Sequence, residues 1–307
     1  MTRQYLRKCS LVVGDPTGQG IDLSELQIRF NVMQPSIQTP GNAQIRVYNL
    51  AAQTSLKISK EFTEVQLRVG YGDESKSIFG GEIIQCRRGR ESPTDTFLDI
   101  LATTGDAAYN FCVTNHVLAA GWSQADMHKA IVGSMSPYGI TAGYVPEMSD
   151  TRYPRGRVIF GLARDQLRAF TAATRSSWHF DEGQVNIVAD DGYVPGEAIV
   201  MNSATGMIGL PVQTLDGVVV KSLMNPGIKN GRLLQINNES IQLAPYSPDY
   251  TAINEAIPSL DSAGRYRVYA VSHTGDTRGQ AWYTEAITRA VDGTAPLTAK
   301  YIGSVQQ

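Results

Sequence analysis

The chain has 307 residues, of which 42% are apolar and only 18% charged, with a formal net charge of -2 and a pI near 6.1. That balance provides no field able to hold nucleic acid by phosphate neutralisation, so tight DNA binding is excluded as an expectation, although passage of DNA through a pore is not. The length suits two or three domains with proper cores, and the low charge suits an all-β or assembled protein better than a charged helical one.

The start of the chain has basic residues, Arg3, Arg7 and Lys8, but an apolar run of only three before Gly14, which is no signal peptide. Nowhere does an unbroken apolar run approach the ~20 residues needed to cross a bilayer. The expectation is a protein soluble when made, with no membrane insertion of its own. Gly14-Asp-Pro-Thr-Gly18-Gln-Gly20 lacks the Lys-Ser/Thr of a P-loop and reads as a hairpin tip.

Leu26, Ile28 and Phe30, then Ile45, Val47 and Leu50, then Val65, Leu67 and Val69 show the alternation of half-buried strands. The Pro-rich stretch 33–41 loops between the first two sets. Asn49 is a plausible N-cap for a helix over 51–62 that turns Leu56, Ile58 and Phe62 inward, and Gly70-Tyr-Gly-Asp73 turns the third strand. About six strands and one small helix are expected by residue 103.

After Gly105 the composition changes. Ser123-Gln-Ala-Asp126 resembles a capping box before Met127, Ile131, Val132 and Met135 at helical spacing. A second helix is expected over 162–173, with Leu162, Leu167, Phe170 and Ala173 as its buried stripe. Residues 178–188 read as a hairpin turning at Asp181-Glu182-Gly183. The middle third is therefore α+β, two helices over one small sheet.

From Thr205 strands return, with Val218-Val219-Val220 as one run. Leu233–Ile236 is expected to pair with Ser240–Leu243 across Asn237-Asn238-Glu239, because Asn tolerates positive φ. The stretch 244–264 reads as a long loop, and the tail after Asp292 as weakly held.

Two segments in opposite halves share one plan: a strand, a polar Gly-containing turn, and a strand that opens on an aromatic. The first runs from Gly81 to Leu101 through Arg87-Arg88-Gly89-Arg90 and opens its second strand at Phe97. The second runs from Tyr266 to Ile287 through His273-Thr-Gly275-Asp276-Thr-Arg278-Gly279 and opens at Trp282-Tyr283. A duplicated β-module points toward assembly architecture more than toward an active site. The fold class expected is mainly β with an α+β middle, divided as 1–105, 106–204 and 205–307.

Chemistry-bearing constellations are sparse. Cys9, Cys86 and Cys112 follow no metal spacing and read as reduced, packed thiols of a protein made in a cytosol. Of the four histidines, His116, His128, His179 and His273, two lie near an acid (Asp126 with His128, His179 with Asp181), but neither pair has an evident third ligand, and zinc needs at least three. No Gly-x-Ser-x-Gly elbow occurs. The segment His273–Gly279 could hold acid, base and cation, but it reads as a turn in which Gly275 and Gly279 supply unusual φ, Asp276 bonds backbone amides and Arg278 pairs across an interface. Adjacent Asp181 and Glu182 point to opposite faces of a strand and do not make a muramidase pair. The knots Arg87/Arg88/Arg90 and Arg152/Arg155/Arg157 read as solvated turns, with contact to an acidic neighbouring subunit as the alternative. No catalytic, cofactor-binding or metal-ligating residue is nominated.

The stretches Thr205-Gly-Met-Ile-Gly-Leu-Pro211, Asp216-Gly-Val218, Leu223-Met-Asn-Pro-Gly227 and Val271–Gly279 before Trp282-Tyr283 resemble bacteriophage tail baseplate hub proteins of the Mu-like, contractile-tail type. Ile45-Arg-Val-Tyr-Asn-Leu50 and the stretch from Tyr71-Gly72 to Gly80-Gly81-Glu82 look like the same family. The resemblance covers both ends of the chain and is weakest over 106–200. It implies two tail-tube-like β-barrels flanking a small α+β domain, and a homotrimer whose six barrels meet a sixfold tail tube on one side and a threefold central spike on the other. Other baseplate proteins would be partners, DNA would pass without specific binding, and the protein would be a non-enzymatic virion component assembled in the host cytoplasm, with no cofactor. Two rival readings are a tail-associated peptidoglycan hydrolase with a catalytic middle region, and a carbohydrate-binding adhesin stacking sugars on Trp122, Trp178 and Trp282. Those tryptophans are more simply core residues.

Overall fold

The structure is a computed structural model and describes residues 4–15, 17–35, 38–214, 216–243 and 259–291. Most of the expected 244–264 loop and the tail after Asp292 lie outside these residues.

The first part of the chain forms β1 (Arg7–Gly14), β2 (Gly20–Asp22), β3 (Ile28–Pro35), β4 (Asn42–Tyr48), α1 (Ala52–Glu61), β5 (Glu64–Tyr71), β6 (Glu74–Arg90) and β7 (Thr96–Thr103). The alternation seen in the sequence sets which side is buried: Ile28, Phe30 and Val32, Ala43, Ile45 and Val47, Val65, Leu67 and Val69, and Leu98, Ile100 and Ala102 are all 3% exposed or less. They join Leu11 and Val13 of β1 in one core capped by Ile58 and Phe62. The strands run side by side as β1-β5-β6-β7-β4-β3, with β2 on the outer edge of β1. Both outermost strands bury into the same core, and Leu23 donates its backbone N–H to Leu11 O at 2.8 Å, so the sheet is rolled around it.

Helix α1 differs from expectation in two ways. Leu56 points outward at 47% exposed, while Ser55 shares the inner face with Ile58. Positions 55, 58 and 62 lie along one stripe of a 3.6-residue helix, and 56 is turned about 100° away from 55. Asn49 is not the cap: it sits at φ 53°, donates its backbone N–H to Thr96 O, and accepts from Thr96 N–H at 3.0 Å through its side chain, pinning the β6–β7 turn.

The middle region comprises α2 (Asp106–Phe111), β8 (Val113–Leu118), α3 (Gln124–Met135), β9 (Thr141–Ala142), β10 (Arg157–Leu162), α4 (Ala163–Ala173), β11 (Ser176–Asp181) and β12 (Gln184–Ala189). The Ser123/Asp126 capping box forms as expected, and Glu182 (φ 47°) and Gly183 (φ 74°) make the expected two-residue hairpin turn. The region holds two sheets, β8 with β10 and β11-β12-β9, where one was expected, and α2 was not foreseen. On α4, Ala173 is exposed; Thr171 is buried in its stead and satisfies its hydroxyl at Leu167 O, 2.9 Å away, which removes the cost of burying it. Leu162 ends β10 and is only half-buried.

The last part forms β13 (Ile199–Met201), β14 (Val212–Thr214), β15 (Gly217–Leu223), β16 (Leu233–Ile236), β17 (Gln242–Leu243), β18 (Arg265–Asp276) and β19 (Trp282–Ala290). The expected hairpin of 233–236 with 240–243 does not form. Asn238 accepts from Tyr266 Oη and donates to Asp261 O, each at 2.7 Å, and residues 238–240 close as a 3-10 turn that sends β17 away to pair with β14. β16 pairs instead with β13 and β18.

The order here is β13-β16-β18-β19-β15-β14, with β17 on the outer edge of β14. Leaving aside the short edge strands β2 and β17, both halves read first, fourth, fifth, sixth, third, second in chain order. The two long hairpins agree in detail. β6 against β7 has a bulge between Ile83 and Gln85, and β18 against β19 has one between Val268 and Ala270. Beyond its bulge each runs six pairs to the turn, Gln85–Arg90 against Leu101–Thr96 and Ala270–Gly275 against Ile287–Trp282. One difference is direction: β1 is antiparallel to β5, whereas β13 is parallel to β16. The modules fuse where β3 pairs antiparallel with the second half of β18, giving one sheet of 14 strands among the described residues.

Candidate functional site

The β3–β18 joint builds a continuous polar surface on the side of the sheet away from the cores. Because pairing is in register, residues directly opposite share a face. One row runs Asp276, Arg29, Arg46, Asp99, Arg87 across β18, β3, β4, β7 and β6, and the next runs Thr274, Asn31, Gln44, Leu101, Gln85. Charges in the first row are largely matched: Arg29 Nε donates to Asp276 Oδ2 at 2.7 Å, and Arg46 grips Asp99 through two bonds of 2.6 and 2.9 Å. Glu91 adds a second acid, 3.3 Å from Arg29 and 3.6 Å from Arg46, and accepts from Tyr48 Oη at 2.5 Å. Its carboxyl is held below the ordinary range, first by that phenol and then by the arginines. The Asp99 bonds hold the Arg46 guanidinium firmly charged, and its Cζ lies 3.9 Å from the centre of the Phe97 ring.

The segment His273–Gly279, read from sequence as a turn, is partly corrected. Asp276 does bond the amides of Arg278 and Gly279, at 2.9 and 2.8 Å; burial works to raise its pKa, but those bonds and Arg29 outweigh it and hold it below the usual range. Gly275 and Gly279 do not have positive φ. Space is the reason for Gly275, where a Cβ would run into the Phe30 and Trp282 rings. Arg278 donates to Glu25 O within the chain at 3.4 Å. His273 is 1% exposed, with Nδ1 2.9 Å from Thr284 Oγ1, and burial pushes its pKa down to about 3.

The other nominated residues are not brought together. Asp126 is spent on the Ser123 cap, while His128 packs against Phe170 in the core. His179 is buried, which lowers its pKa to about 4, and Asp181 pairs with Lys229 at 3.2 Å. No group of three His, Cys, Asp or Glu able to hold a metal exists among the described residues. Cys9, Cys86 and Cys112 are free; burial pushes the Cys9 thiol up to about 12, which makes it unreactive. Trp178 and Trp282 are each 1% exposed, and Trp122 stacks on Tyr153 at 4.1 Å and donates to Arg155 O, so none presents a free ring to a sugar. Arg152 and Arg157 close over the same Trp122 corner, so that knot is structural. Arg87 and Arg88, by contrast, stand exposed with no ion pair among the described residues.

Sequence reading missed an apolar face. On the β8–β10 sheet Val113 and Val117 of one strand and Val158 and Phe160 of the other point outward, 52 to 74% exposed, beside Phe111 at 67%. A contiguous patch of this kind marks a contact surface. Only the pairing of β8 with β10 assembles it. Among the described residues no helix is long and apolar enough to cross a membrane.

No protein-family model matches the sequence, and no curated protein matches it. Solved structures do. The 43 kDa tail protein of prophage MuSo2 from Shewanella oneidensis aligns over 94% of this chain and 99% of its own, with a TM-score of 0.60 and 8% identity. The chain has the fold of a phage tail protein. A tail protein from Neisseria meningitidis MC58 gives a TM-score of 0.58 at 8% identity over 95% of this chain and 100% of that one. The E. coli c3393 protein, described as a type VI secretion component structurally similar to T4 tail proteins gp27 and gp5, gives 0.50 at 10% identity, over 95% of this chain and 79% of its own. At such identities the tail-protein fold is held by the pattern of burial and pairing rather than by shared residues.

Proposed function

We propose that this protein is a structural hub of a phage tail baseplate, a homotrimer that joins a sixfold tail tube to a threefold central spike and forms part of the DNA channel. The observation that carries the reading is the repeated strand order with matched bulged hairpins. Three chains with two like modules each offer six like positions, which is what an adaptor between sixfold and threefold rings requires. The fold similarity to phage tail proteins supports the same reading. Other baseplate proteins would bind its loops and its apolar β8–β10 face, and its place would be the virion, after assembly in the host cytoplasm.

The polar face across the β3–β18 joint would line the channel. Its three arginines, Arg29, Arg46 and Arg87, are set against Asp99, Asp276 and Glu91, so it offers DNA no excess of positive charge to bind to. We assign the protein no enzymatic activity. Native mass combined with negative-stain imaging of the purified chain tests the proposal: a three-chain annulus is expected, and a monomer at every concentration, with no ring on adding tube or spike protein, would overturn it. Clearing of peptidoglycan in a zymogram would refute the non-enzymatic assignment.

A further inference from the structure

The β8–β10 sheet is finished on one side only. Behind it Thr114 and Ile159 are buried and α3 and α4 pack against the strands, whereas in front Val113 and Val117 of β8 and Val158 and Phe160 of β10 are each more than half exposed. A helix laid on the sheet is the ordinary way to close such a layer, and here the layer is closed once. The open strip has a definite size. Each strand has six residues, which make about 20 Å at the usual rise, and two strands side by side present a strip about 10 Å wide. One α-helix has that diameter, and about 13 residues of it have that length. Charge is one-sided as well: neither strand carries Asp or Glu, and at the end where Val117 pairs with Val158, Arg155 and Arg157 are exposed with no ion pair among the described residues. At the other end Arg164 reaches Asn110 Oδ1, 3.0 Å away beside Phe111, and shares Asp165 with Arg168.

We propose that this face seats an acidic amphipathic helix of about three to four turns from another protein, with its apolar stripe on Phe160 and the valines and its carboxylates on Arg155 and Arg157. In the hub reading that protein is another component of the baseplate, so the inference deepens that reading and rests on it for the partner's source. A second copy of this chain fits the face less well. The apolar strip, Phe111 included, exposes roughly 500 Å², well short of the ~800 Å² per partner of a standard interface. Two such faces could meet only about a twofold axis, which a single threefold ring lacks. The middle region is not duplicated either, so a ring of three chains carries three such seats beside its six module positions.

The test pans a surface-displayed library of random peptides, each long enough for a helix of about four turns, against the purified full chain. Binders are counter-selected on a chain carrying Val117→Ser with Phe160→Ser, a double variant at exposed positions whose thermal unfolding should match the parent's. The expected binders have apolar residues at helical spacing with Asp or Glu beside them, are helical by circular dichroism when bound, and bind the double variant at least tenfold more weakly. Arg155→Glu should weaken them several-fold and, in a fresh selection, turn the preference toward Lys and Arg. Binders that alternate as strands do, indifference to Arg155, full binding to the double variant, or no binders at all would each overturn the inference. So would partition of the chain onto phosphatidylglycerol vesicles through this face, or a native mass that the double variant lowers, because these assign the face to lipid or to a second copy. The annulus expected of the hub does not need this face. An annulus without helix binding leaves the hub reading standing, and helix binding by a chain that never forms a ring overturns the hub reading alone.

Discussion

The first and second modules share a strand order and differ in what they bury. Around the first core the buried side chains are apolar almost throughout. In and around the second, His273, Thr284, Thr288, Ser222, Arg267, Arg289, Asp261 and Asp276 are all 8% exposed or less. They are held by directed bonds: Thr284 Oγ1 serves both His273 and the Asn225 amide at 2.9 Å, and Thr288 donates to Val218 O at 2.9 Å. Where the first module has α1 between its third and fourth core strands, the second has a loop, 224–232, whose Lys229 and Asn230 reach Asp181 of the middle region and Gln34 O of β3. The comparison teaches that one topology can be stabilised either by oil-like packing or by a polar seam, and that the seam sits where the second module must touch the other two regions.

The sharpest way to separate the modules is to truncate the aromatic that opens the last strand of each long hairpin. Trp282 is fully buried and belongs to the first module's core although it comes from the second. Trp282→Ala is expected to cost about 3–5 kcal/mol in denaturant unfolding, whereas Phe97→Ala, at a half-buried ring, should cost about 1–2. Equal costs would mean that the joint adds nothing to stability.

Acid should tell the modules apart as well, because residues 7–103 contain no histidine. His273 and His179 are buried, and their folded pKa values lie below the ordinary 6.5, near 3 and 4. Below pH 6.5 the unfolded chain takes up protons that the folded chain refuses, so stability falls as pH drops from 6.5 and levels off once the folded values are passed. The slope is at most about 1.4 kcal/mol per pH unit for each histidine. Hydrogen exchange at pH 7 and pH 5, corrected for intrinsic rates, should show protection lost in β11 and β18–β19 before β4–β7.

Smaller effects should follow the same division. Gly275→Ala is expected to cost about 1–3 kcal/mol, because the new methyl meets two buried rings, while Gly89→Ala meets only the half-buried Phe97 ring and should cost less than about 1. Arg46→Ala should lower stability by only about 1 kcal/mol or less, since its pairs with Asp99 and Glu91 are a third or more exposed. A larger loss would show that the polar face is a structural network.

Much of this fold was legible because burial has a period. Ile28-x-Phe30, Ile45-x-Val47 and Val65-x-Leu67-x-Val69 state their inward face by alternation alone, and the Ser123 cap and the Glu182-Gly183 turn are local bonds that need no distant partner. Errors arose where a second partner decides. Asn237-Asn238 looked like a hairpin turn until Tyr266 and Asp261, far along the chain, took the Asn238 side chain. Gly275 looked like a φ requirement, but the ring of Phe30 makes it a requirement for space. Nothing in Val113, Val117, Val158 and Phe160 separately announces an apolar face.

By itself, then, the order of residues determined which side of the alternating strands is buried, where α3 begins, and that two hairpins of one design recur, since these depend on neighbours within a few positions. Tertiary structure alone decided that β3 of one module would become part of the other's sheet, and that charges 53 or 247 positions apart would meet as Arg46–Asp99 and Arg29–Asp276. Such pairings cost loop-closure entropy that no local pattern records, and they form only when the whole set of cores can be buried together.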